Sequence, residues 1–214
     1  MTNNHSIEQF QLKEKKAVIT GATKGIGLAI AECFITLGAE VILVARTQED
    51  LADLIAKHST DAVTGIAADL STKPGRDELI RAIKQETDQL DILVNNVGTN
   101  IRKSTVDYTD NEFDQIFATN LKSTFELSRG LQPLLKKNGT ASIVNISSVA
   151  GLNHIRTGSP YGMTKAAINQ LTKNLAVEWA ADGIRVNAVA PWYINTPLAK
   201  QVLQNDDYRK EVLS

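Results

Sequence analysis

The sequence predicts an α/β fold in which a doubly wound parallel sheet is flanked by helices on both faces. Short runs rich in Val, Ile and Ala alternate with longer helical patterns along all 214 residues, as in proteins built from parallel strands. The strand runs are almost continuously apolar rather than alternating, which is typical of strands buried on both faces. With 43% hydrophobic residues the chain can bury one core, so we expect a single domain over residues 1–214.

Six strands and at least five helices follow from the pattern. Because ligands of doubly wound sheets bind beyond the carboxyl ends of the strands, side chains that directly follow a strand are candidates for function. The predicted strands are 16–20, 40–45, 62–68, 91–95, 141–147 and 184–190. The predicted helices are 26–38, 47–58, 74–87, 109–137 and 159–183, with a further helical segment beginning near residue 195.

Composition and charge exclude several classes of protein. The net charge of -1 argues against a nucleic-acid partner, and neither a polybasic run nor a long apolar segment indicates a membrane partner. The N-terminus lacks the apolar core of a signal peptide, so we expect a cytoplasmic location. His5, His58 and His154 lack the spacing of metal ligands, so no metal is predicted. We expect Cys33 to be a small buried hydrophobe rather than a reactive thiol.

A glycine-rich turn follows the first predicted strand. The stretch TGATKGIG contains Gly21, Gly25 and Gly27, and a helical pattern begins directly after it. Such a turn lets backbone approach a pyrophosphate, and the N-terminus of the helix adds N–H donors. The spacing differs from the usual G-x-G-x-x-G, so a turn needed only for steric reasons remains the alternative.

Two cations near this turn indicate which dinucleotide would bind. Proteins that bind NAD place an acid about 20 residues after the glycines, whereas this chain has Arg46 at the end of the second strand. A guanidinium pairs with a 2′-phosphate, and Lys24 adds a second cation, so the pattern predicts NADP(H). The alternative is that both are solvated surface side chains. Asp69, after the third strand, could accept from an adenine amino group or simply cap a helix.

Four polar residues later in the chain suggest acid–base chemistry. Tyr161 and Lys165 are four positions apart and would share one helical face, where the ammonium would lower the pKa of the phenol. Ser148 follows the fifth strand and could donate to a substrate oxygen that Tyr161 protonates. Asn120 is a polar residue in mid-helix. The alternatives are a chance surface pair for Tyr161 and Lys165 and a solvent-facing amide for Asn120.

Taken together, TGATKGIG, NNVG and the serine followed by YGMTK resemble the motifs of the short-chain dehydrogenase/reductase family over residues 12–200. The resemblance implies that Tyr161 is the general acid in carbonyl reduction and that Lys165 lowers the pKa of Tyr161 and holds the nicotinamide ribose. It implies that Ser148 orients the carbonyl and that Asn120 holds a water linked to Lys165. The positions with implied cofactor contacts are Gly21, Thr23, Lys24, Gly25, Ile26, Gly27, Arg46, Asp69, Leu70, Asn96, Gly98, Tyr161, Lys165, Ile194 and Thr196.

Within the family the chain is most similar to tropinone-reductase-like members, which reduce ketones with NADPH. The resemblance therefore implies a small-molecule ketone or secondary alcohol as substrate, and a homodimer or homotetramer formed through the helices at 110–137 and 159–181. We expect residues 99–102, 149–156 and 192–193 to line the substrate pocket. Two alternatives stay open: a non-catalytic NADP(H)-binding sensor or regulatory subunit on the same fold, and a structural role in an assembly.

The chain also departs from the family pattern. Val97 replaces the usual alanine, and Trp192 stands where glycine is commoner, which predicts a bulkier loop beside the nicotinamide. Family members continue with a further helix and a seventh strand, whereas this sequence stops at Ser214. We therefore expect 184–190 to form an exposed sheet edge.

Overall fold

The strands of the protein form one parallel sheet of six, in the order β3-β2-β1-β4-β5-β6. The computed structural model describes residues 10–58, 61–197, 199, 203–204 and 206–213. The chain builds the sheet outward from β1 in two directions, so the strand order reverses between β1 and β4. The strands are β1 Lys16–Thr20, β2 Glu40–Ala45, β3 Val63–Ala67, β4 Ile92–Asn95, β5 Ala141–Ile146 and β6 Ile184–Val189.

Helices cover both faces of the sheet, which confirms the predicted doubly wound fold. Neighbouring residues on a strand point to opposite faces, so Val18 and Ile42 pack into one apolar cluster, while Ile19 and Leu43 pack into the other. Because both faces of each strand are buried, the strand segments are almost continuously apolar. The helices are α1 Gly25–Thr36, α2 Gln48–His58, α3 Lys73–Glu86, α4 Asp110–Phe117, α5 Ser123–Asn138, α6 Ser159–Glu178 and α7 Asp206–Leu213.

The helix predicted over 109–137 is divided. Its N-terminus is set by a capping box, in which the Thr109 hydroxyl accepts from the Glu112 N–H while the Glu112 carboxylate accepts from the Thr109 N–H. After α4 the chain makes a π-helical turn, Ala118–Lys122, before α5 continues. Apolar periodicity does not reveal one extra residue in a turn, which is why the sequence predicts an unbroken helix.

The outer end of the sheet differs from its centre. Among the residues that the structure describes, β6 pairs with β5 alone, and four of its six residues are exposed. This agrees with the sheet edge expected for 184–190. Within the same described ranges, no helix is both long enough and apolar enough to cross a membrane. The helical segment expected from residue 195 is described only in part, because residues 198, 200–202, 205 and 214 lie outside the described residues.

The prediction that Cys33 is buried is wrong. Its side chain on α1 is exposed, and it lies beside Phe34 and opposite Val189 of β6 along an open apolar cavity. The apolar surroundings of Cys33 in the sequence predict burial, but the described part of the chain does not cover this side of α1.

Candidate active site

The glycine turn between β1 and α1 is tightly packed backbone. Gly21 and Gly25 have φ values of +65° and +59°, which side chains other than glycine rarely adopt, and a Cβ on Gly27 would overlap the carbonyl oxygen of Gly21. Thr23 and Lys24 complete the turn, and α1 begins at Gly25 without a side-chain cap or an acid in its first turn. Its first N–H groups therefore lack a side-chain acceptor, as a phosphate-binding turn requires.

Asn96, expected to contact cofactor, braces this turn. Its Nδ2 donates to the carbonyl oxygens of Thr20 and Gly21, at 2.9 and 3.2 Å, and its backbone N–H donates to the Thr20 hydroxyl at 2.9 Å. The side-chain amide of Asn96 thus ties the end of β4 to the end of β1, where the strand order reverses. The geometry supports a role in shaping the turn.

Three charged side chains lie near the carboxyl end of β2. Arg46 follows the strand and is exposed, and the Lys24 ammonium lies 3.3 Å from the Asp50 carboxylate. A hydrogen bond from Thr47, a hydrogen bond from Lys24 and the nearby Arg46 charge lower the pKa of Asp50. Asp50 was missed in the sequence, because nothing distinguishes it there from an ordinary acid in the first turn of a helix.

Asp69 and Leu70 follow β3. The Asp69 carboxylate accepts from the backbone N–H of Ser71 at 3.0 Å and from its hydroxyl at 2.7 Å. The alternative that Asp69 caps a helix is wrong, because Thr72 caps α3 by accepting from the Gly75 N–H. Leu70 is buried in the core.

An apolar cavity of about 500 Å³ lies between α1 and the chain that follows β6. Gly25 and Ile26 line one wall, and Pro191, Ile194 and Thr196 line the opposite wall. The predicted positions Ile26, Ile194 and Thr196 therefore meet here. Neither Tyr161 nor Lys165 lines this cavity, and Lys165 instead contacts Ile146 at the end of β5.

Tyr161 and Lys165 share one face of α6, as their spacing predicts. The Lys165 ammonium lies 5.6 Å from the centroid of the Tyr161 ring and donates to the Ile146 carbonyl oxygen at 2.7 Å. Only 4% of Lys165 is exposed, and this burial lowers the pKa of its ammonium to about 8.

The pKa of Tyr161 differs from the sequence-based expectation. Burial raises it above its ordinary value, while a hydrogen bond with the Ser148 side chain and the charge of Arg102 oppose that rise. Lys165, expected to lower this pKa, contacts the face of the ring and is not among the causes of the shift. The phenol therefore stays protonated at neutral pH in this structure.

Ser148 is held where β5 ends and a short 3-10 turn, Val149–Gly151, begins. Its Oγ accepts from the Ala150 N–H at 3.1 Å. A Cβ on Gly151 would lie 2.5 Å from the carbonyl carbon of Lys165, so this turn packs directly on α6. Glycine at 151 thus brings Ser148 within hydrogen-bonding distance of Tyr161.

Asn120 lies in the π-helical turn and is fully buried, so the alternative of a solvent-facing amide is wrong. Its Oδ1 accepts from the Thr99 N–H at 2.8 Å, and its Nδ2 donates to the Thr99 carbonyl oxygen and to the Thr164 hydroxyl, at 3.0 and 3.1 Å. Thr164 in turn donates to the Tyr161 carbonyl oxygen at 2.8 Å. Thr164 was missed in the sequence, although its place between Tyr161 and Lys165 was a signal.

Gly98 lies where these groups converge. A Cβ on Gly98 would lie 3.5 Å from the Asn120 Oδ1 and 3.6 Å from the Lys165 ammonium nitrogen. The structure thus brings Asn120, Ser148, Tyr161, Lys165 and Gly98 together around the ends of β4 and β5. It brings the glycine turn, Arg46 and Asp69 to the ends of the first three strands, at the same edge of the sheet.

Comparison with known proteins shows the family to which the chain belongs. The family described as short chain dehydrogenase matches residues 15–207. A tropinone reductase homologue of Arabidopsis thaliana is 46% identical over 210 residues, which cover 97% of this chain and 80% of the relative. Residues 15–207 include the glycine turn and all four acid–base candidates.

Solved structures have the same fold. The Pseudomonas aeruginosa RhlG protein, in an active-site complex with NADP, is 32% identical with a TM-score of 0.86, covering 92% of this chain and 80% of its own. A Beutenbergia cavernae protein solved with NADP at low occupancy is 31% identical with a TM-score of 0.87, covering 95% and 82%. The chain described here belongs to the short-chain dehydrogenase/reductase family of oxidoreductases, and within it to the tropinone-reductase-like proteins.

Proposed function

We propose that the protein is an NADPH-dependent carbonyl reductase that transfers hydride between NADP(H) and a ketone or secondary alcohol. The observation that carries the proposal is the Tyr161 hydroxyl, which hydrogen-bonds with Ser148 and shares a helical face with the buried Lys165 at the edge of the sheet where ligands bind. A protonated phenol beside an ammonium and a hydroxyl can act as a general acid toward a substrate oxygen.

The turn between β1 and α1 has the features that a dinucleotide needs. Gly21, Gly25 and Gly27 leave backbone without a side chain at three positions of the turn, and the uncapped N-terminus of α1 offers N–H donors to a pyrophosphate. The cations Arg46 and Lys24 favour a 2′-phosphate and thus NADP(H) over NAD(H). The two NADP-bound structural relatives support the same choice.

The chain's own residues would act on the proton. NADPH, when bound, supplies the hydride that the carbonyl carbon receives. Ser148 donates to the carbonyl oxygen and orients it, and Tyr161 gives that oxygen its proton. The Lys165 ammonium, buried beside the Tyr161 ring, would hold the nicotinamide ribose. Asn120, held by Thr99 and Thr164, lies beside Lys165 and would hold the water through which a proton returns.

A non-catalytic NADP(H) sensor on the same fold is the second candidate. It would need the glycine turn but not the acid–base residues, so the contacts that link Ser148 to Tyr161, Tyr161 to Lys165, and Lys165 to Asn120 beside Gly98 argue against it. Assembly fits both functions. Phe125 of α5 and Met163 and Val177 of α6 are exposed apolar side chains on the helices expected to form a homodimer or homotetramer.

The experiment that tests the proposal measures binding and turnover separately. Titration with NADPH and NADH gives the dissociation constants, and NADPH oxidation is then followed with a panel of cyclic and aliphatic ketones. We expect tighter binding of NADPH and reduction of part of the panel. Tight NADPH binding with no turnover across a broad panel would favour the sensor, and equal affinity for both cofactors would contradict the assignment to Arg46 and Lys24.

A further inference from the structure

Arg102 lies on the loop between β4 and α4, and that loop packs against the start of α6. The Asn100 side-chain amide donates to the Thr157 hydroxyl, and the hydroxyls of Thr105 and Ser159 are 3.0 Å apart. Asn100 and Thr105 lie on either side of Arg102 in the sequence, and their partners Thr157 and Ser159 lie within four residues of Tyr161. The backbone that carries Arg102 is thus fixed beside the acid–base pair.

A third contact holds the same loop. The Tyr108 hydroxyl donates to the carbonyl oxygen of Ile101, next to Arg102, and Gly158 packs so closely on this hydroxyl that a Cβ there would overlap it. Gly158 also has a φ of +92°, which favours glycine. The position of Arg102 therefore follows from three anchors rather than from a mobile loop end.

Within the residues that the structure describes, the Arg102 guanidinium forms no ion pair with a carboxylate. The neighbouring Lys103, by contrast, forms an ion pair with Glu112. No Asp or Glu occurs in 99–106, 147–170 or 190–197, the segments around Tyr161.

Arg102 is close enough to Tyr161 to affect it. Its charge is one of the two influences that oppose the rise in the pKa of Tyr161 caused by burial. An exposed guanidinium placed near the proton donor, without a carboxylate partner among the described residues, is suited to an anion that arrives with the substrate, because its planar fork matches carboxylate and phosphate oxygens.

We propose that the substrate is an oxo or hydroxy compound carrying an anionic group, a carboxylate or a phosphate, which pairs with Arg102 while the reacting oxygen lies at Tyr161. This inference rests on the proposed function and adds a substrate class to it. The contacts with Thr157, Gly158 and Ser159 hold the backbone that carries Arg102 beside the start of α6.

The test compares matched substrate pairs. The values of kcat/KM with NADPH are measured for 4-oxocyclohexanecarboxylate against its methyl ester, and for dihydroxyacetone phosphate against dihydroxyacetone. We expect at least one anion to be preferred over its neutral partner by about tenfold or more, the size of a charge-assisted hydrogen bond. Arg102→Gln should abolish most of that preference. The pair with the larger preference distinguishes a carboxylate from a phosphate substrate.

The matched control is Lys103→Gln, which removes the same charge one residue away and should keep the preference. Equal kcat/KM within both wild-type pairs, or an unchanged preference in Arg102→Gln, would overturn the proposal. A drop of equal size for anion and neutral partner would also overturn it, because Arg102 would then act only through the acidity of Tyr161.

A binding measurement keeps this inference separate from the proposed function. Calorimetry follows two anions that carry neither a carbonyl nor an alcohol group to react, cyclohexanecarboxylate and propyl phosphate, added to the protein loaded with NADP⁺. We expect one of them to bind and Arg102→Gln to weaken that binding about tenfold or more. If no ketone is reduced, the proposed function fails, and this titration still decides whether Arg102 forms an anion site. No binding of either anion would overturn it.

Discussion

The residues proposed to bind cofactor lie along the carboxyl ends of the strands, with Arg46 at one end and Lys165 at the other. At the Arg46 end the charged side chains lie in water, whereas at the Lys165 end they are buried in protein. The side chain of Lys24 is 71% exposed and pairs with the half-exposed Asp50, while Lys165 is 4% exposed and donates to a backbone carbonyl. Charges in water interact weakly, whereas burial can shift the pKa of a charged group by several units. The first end is therefore suited to choosing a cofactor and the second to moving a proton.

The largest expected effect lies at the buried end. Tyr161→Phe removes the proton donor and leaves the ring, so we expect kcat for ketone reduction to fall by about a hundredfold to ten-thousandfold. The dissociation constant for NADPH, measured by titration, should stay within about threefold, since the glycine turn and Arg46 are unchanged. A Phe variant with the normal turnover rate would show that another group supplies the proton.

The second prediction concerns pH. Because burial lowers the pKa of Lys165 to about 8, its ammonium is charged below that pH and neutral above it. We expect the rate of ketone reduction, measured at saturating substrate from pH 6 to 10, to fall about tenfold per pH unit once the pH exceeds about 8. A rate that stays flat up to pH 10 would contradict the role of the charged lysine.

Stability should show the opposite trend over the same range. The folded-state pKa of about 8 lies below the ordinary 10.5, so the unfolded chain binds more protons between these two values. The contribution of Lys165 to the free energy of unfolding therefore rises with pH in that window. Denaturant unfolding at pH 7.5 and pH 10 should show this rise in the wild type and a smaller rise in Lys165→Met.

The next prediction concerns the exposed end, where Arg46 is proposed to bind the 2′-phosphate. Arg46→Ala should raise the KM for NADPH by about tenfold and leave the KM for NADH almost unchanged, because only NADPH carries the 2′-phosphate. The NADPH effect should shrink in high salt, since exposed charges are screened. Arg81→Ala, which removes an exposed arginine from α3, is the control. Equal changes for both cofactors would mean that Arg46 does not recognise the phosphate.

The smallest expected effect comes from Asp50. Its carboxylate occupies the Lys24 ammonium and lies near Arg46, so it competes with a phosphate for the same cations. Asp50→Asn should lower the KM for NADPH by about twofold to threefold, with NADH unaffected. Glu49→Gln removes a neighbouring acid from the same helical turn and should change neither KM. A higher KM for NADPH in Asp50→Asn would indicate that the ion pair holds Lys24 in place for the cofactor.

The sequence predicts the sheet well because burial on both faces requires an almost continuous run of apolar residues in each strand. All six strands lie within one residue of their predicted ends, and the pairing of Tyr161 with Lys165 follows from helical spacing alone. What escapes prediction depends on contacts between distant segments. Asp50 meets Lys24 across 26 positions, the Thr164 hydroxyl accepts from Asn120 across 44, and Arg102 reaches Tyr161 from another loop.

The acidity of Tyr161 is the clearest case. Spacing indicates an ammonium near the phenol and hence a lowered pKa, but the sequence carries no measure of how deeply a hydroxyl is buried. Burial turns out to be the largest influence, and it acts in the opposite direction. In the same way, the apolar surroundings of Cys33 in the sequence predict burial, but they do not indicate whether another segment covers this side of α1.

The π-helical turn at Ala118–Lys122 sets the rotation of Asn120 relative to the buried leucines of α5, and so links the proposed chemistry to the core. Each residue of an ordinary α-helix advances the chain by about 100°. Deleting one residue here to restore α-helical winding would swing either Asn120 away from Thr99 or the buried leucines of α5 away from the sheet. Engineered variants that shorten this segment are therefore expected to lose one of these two sets of contacts.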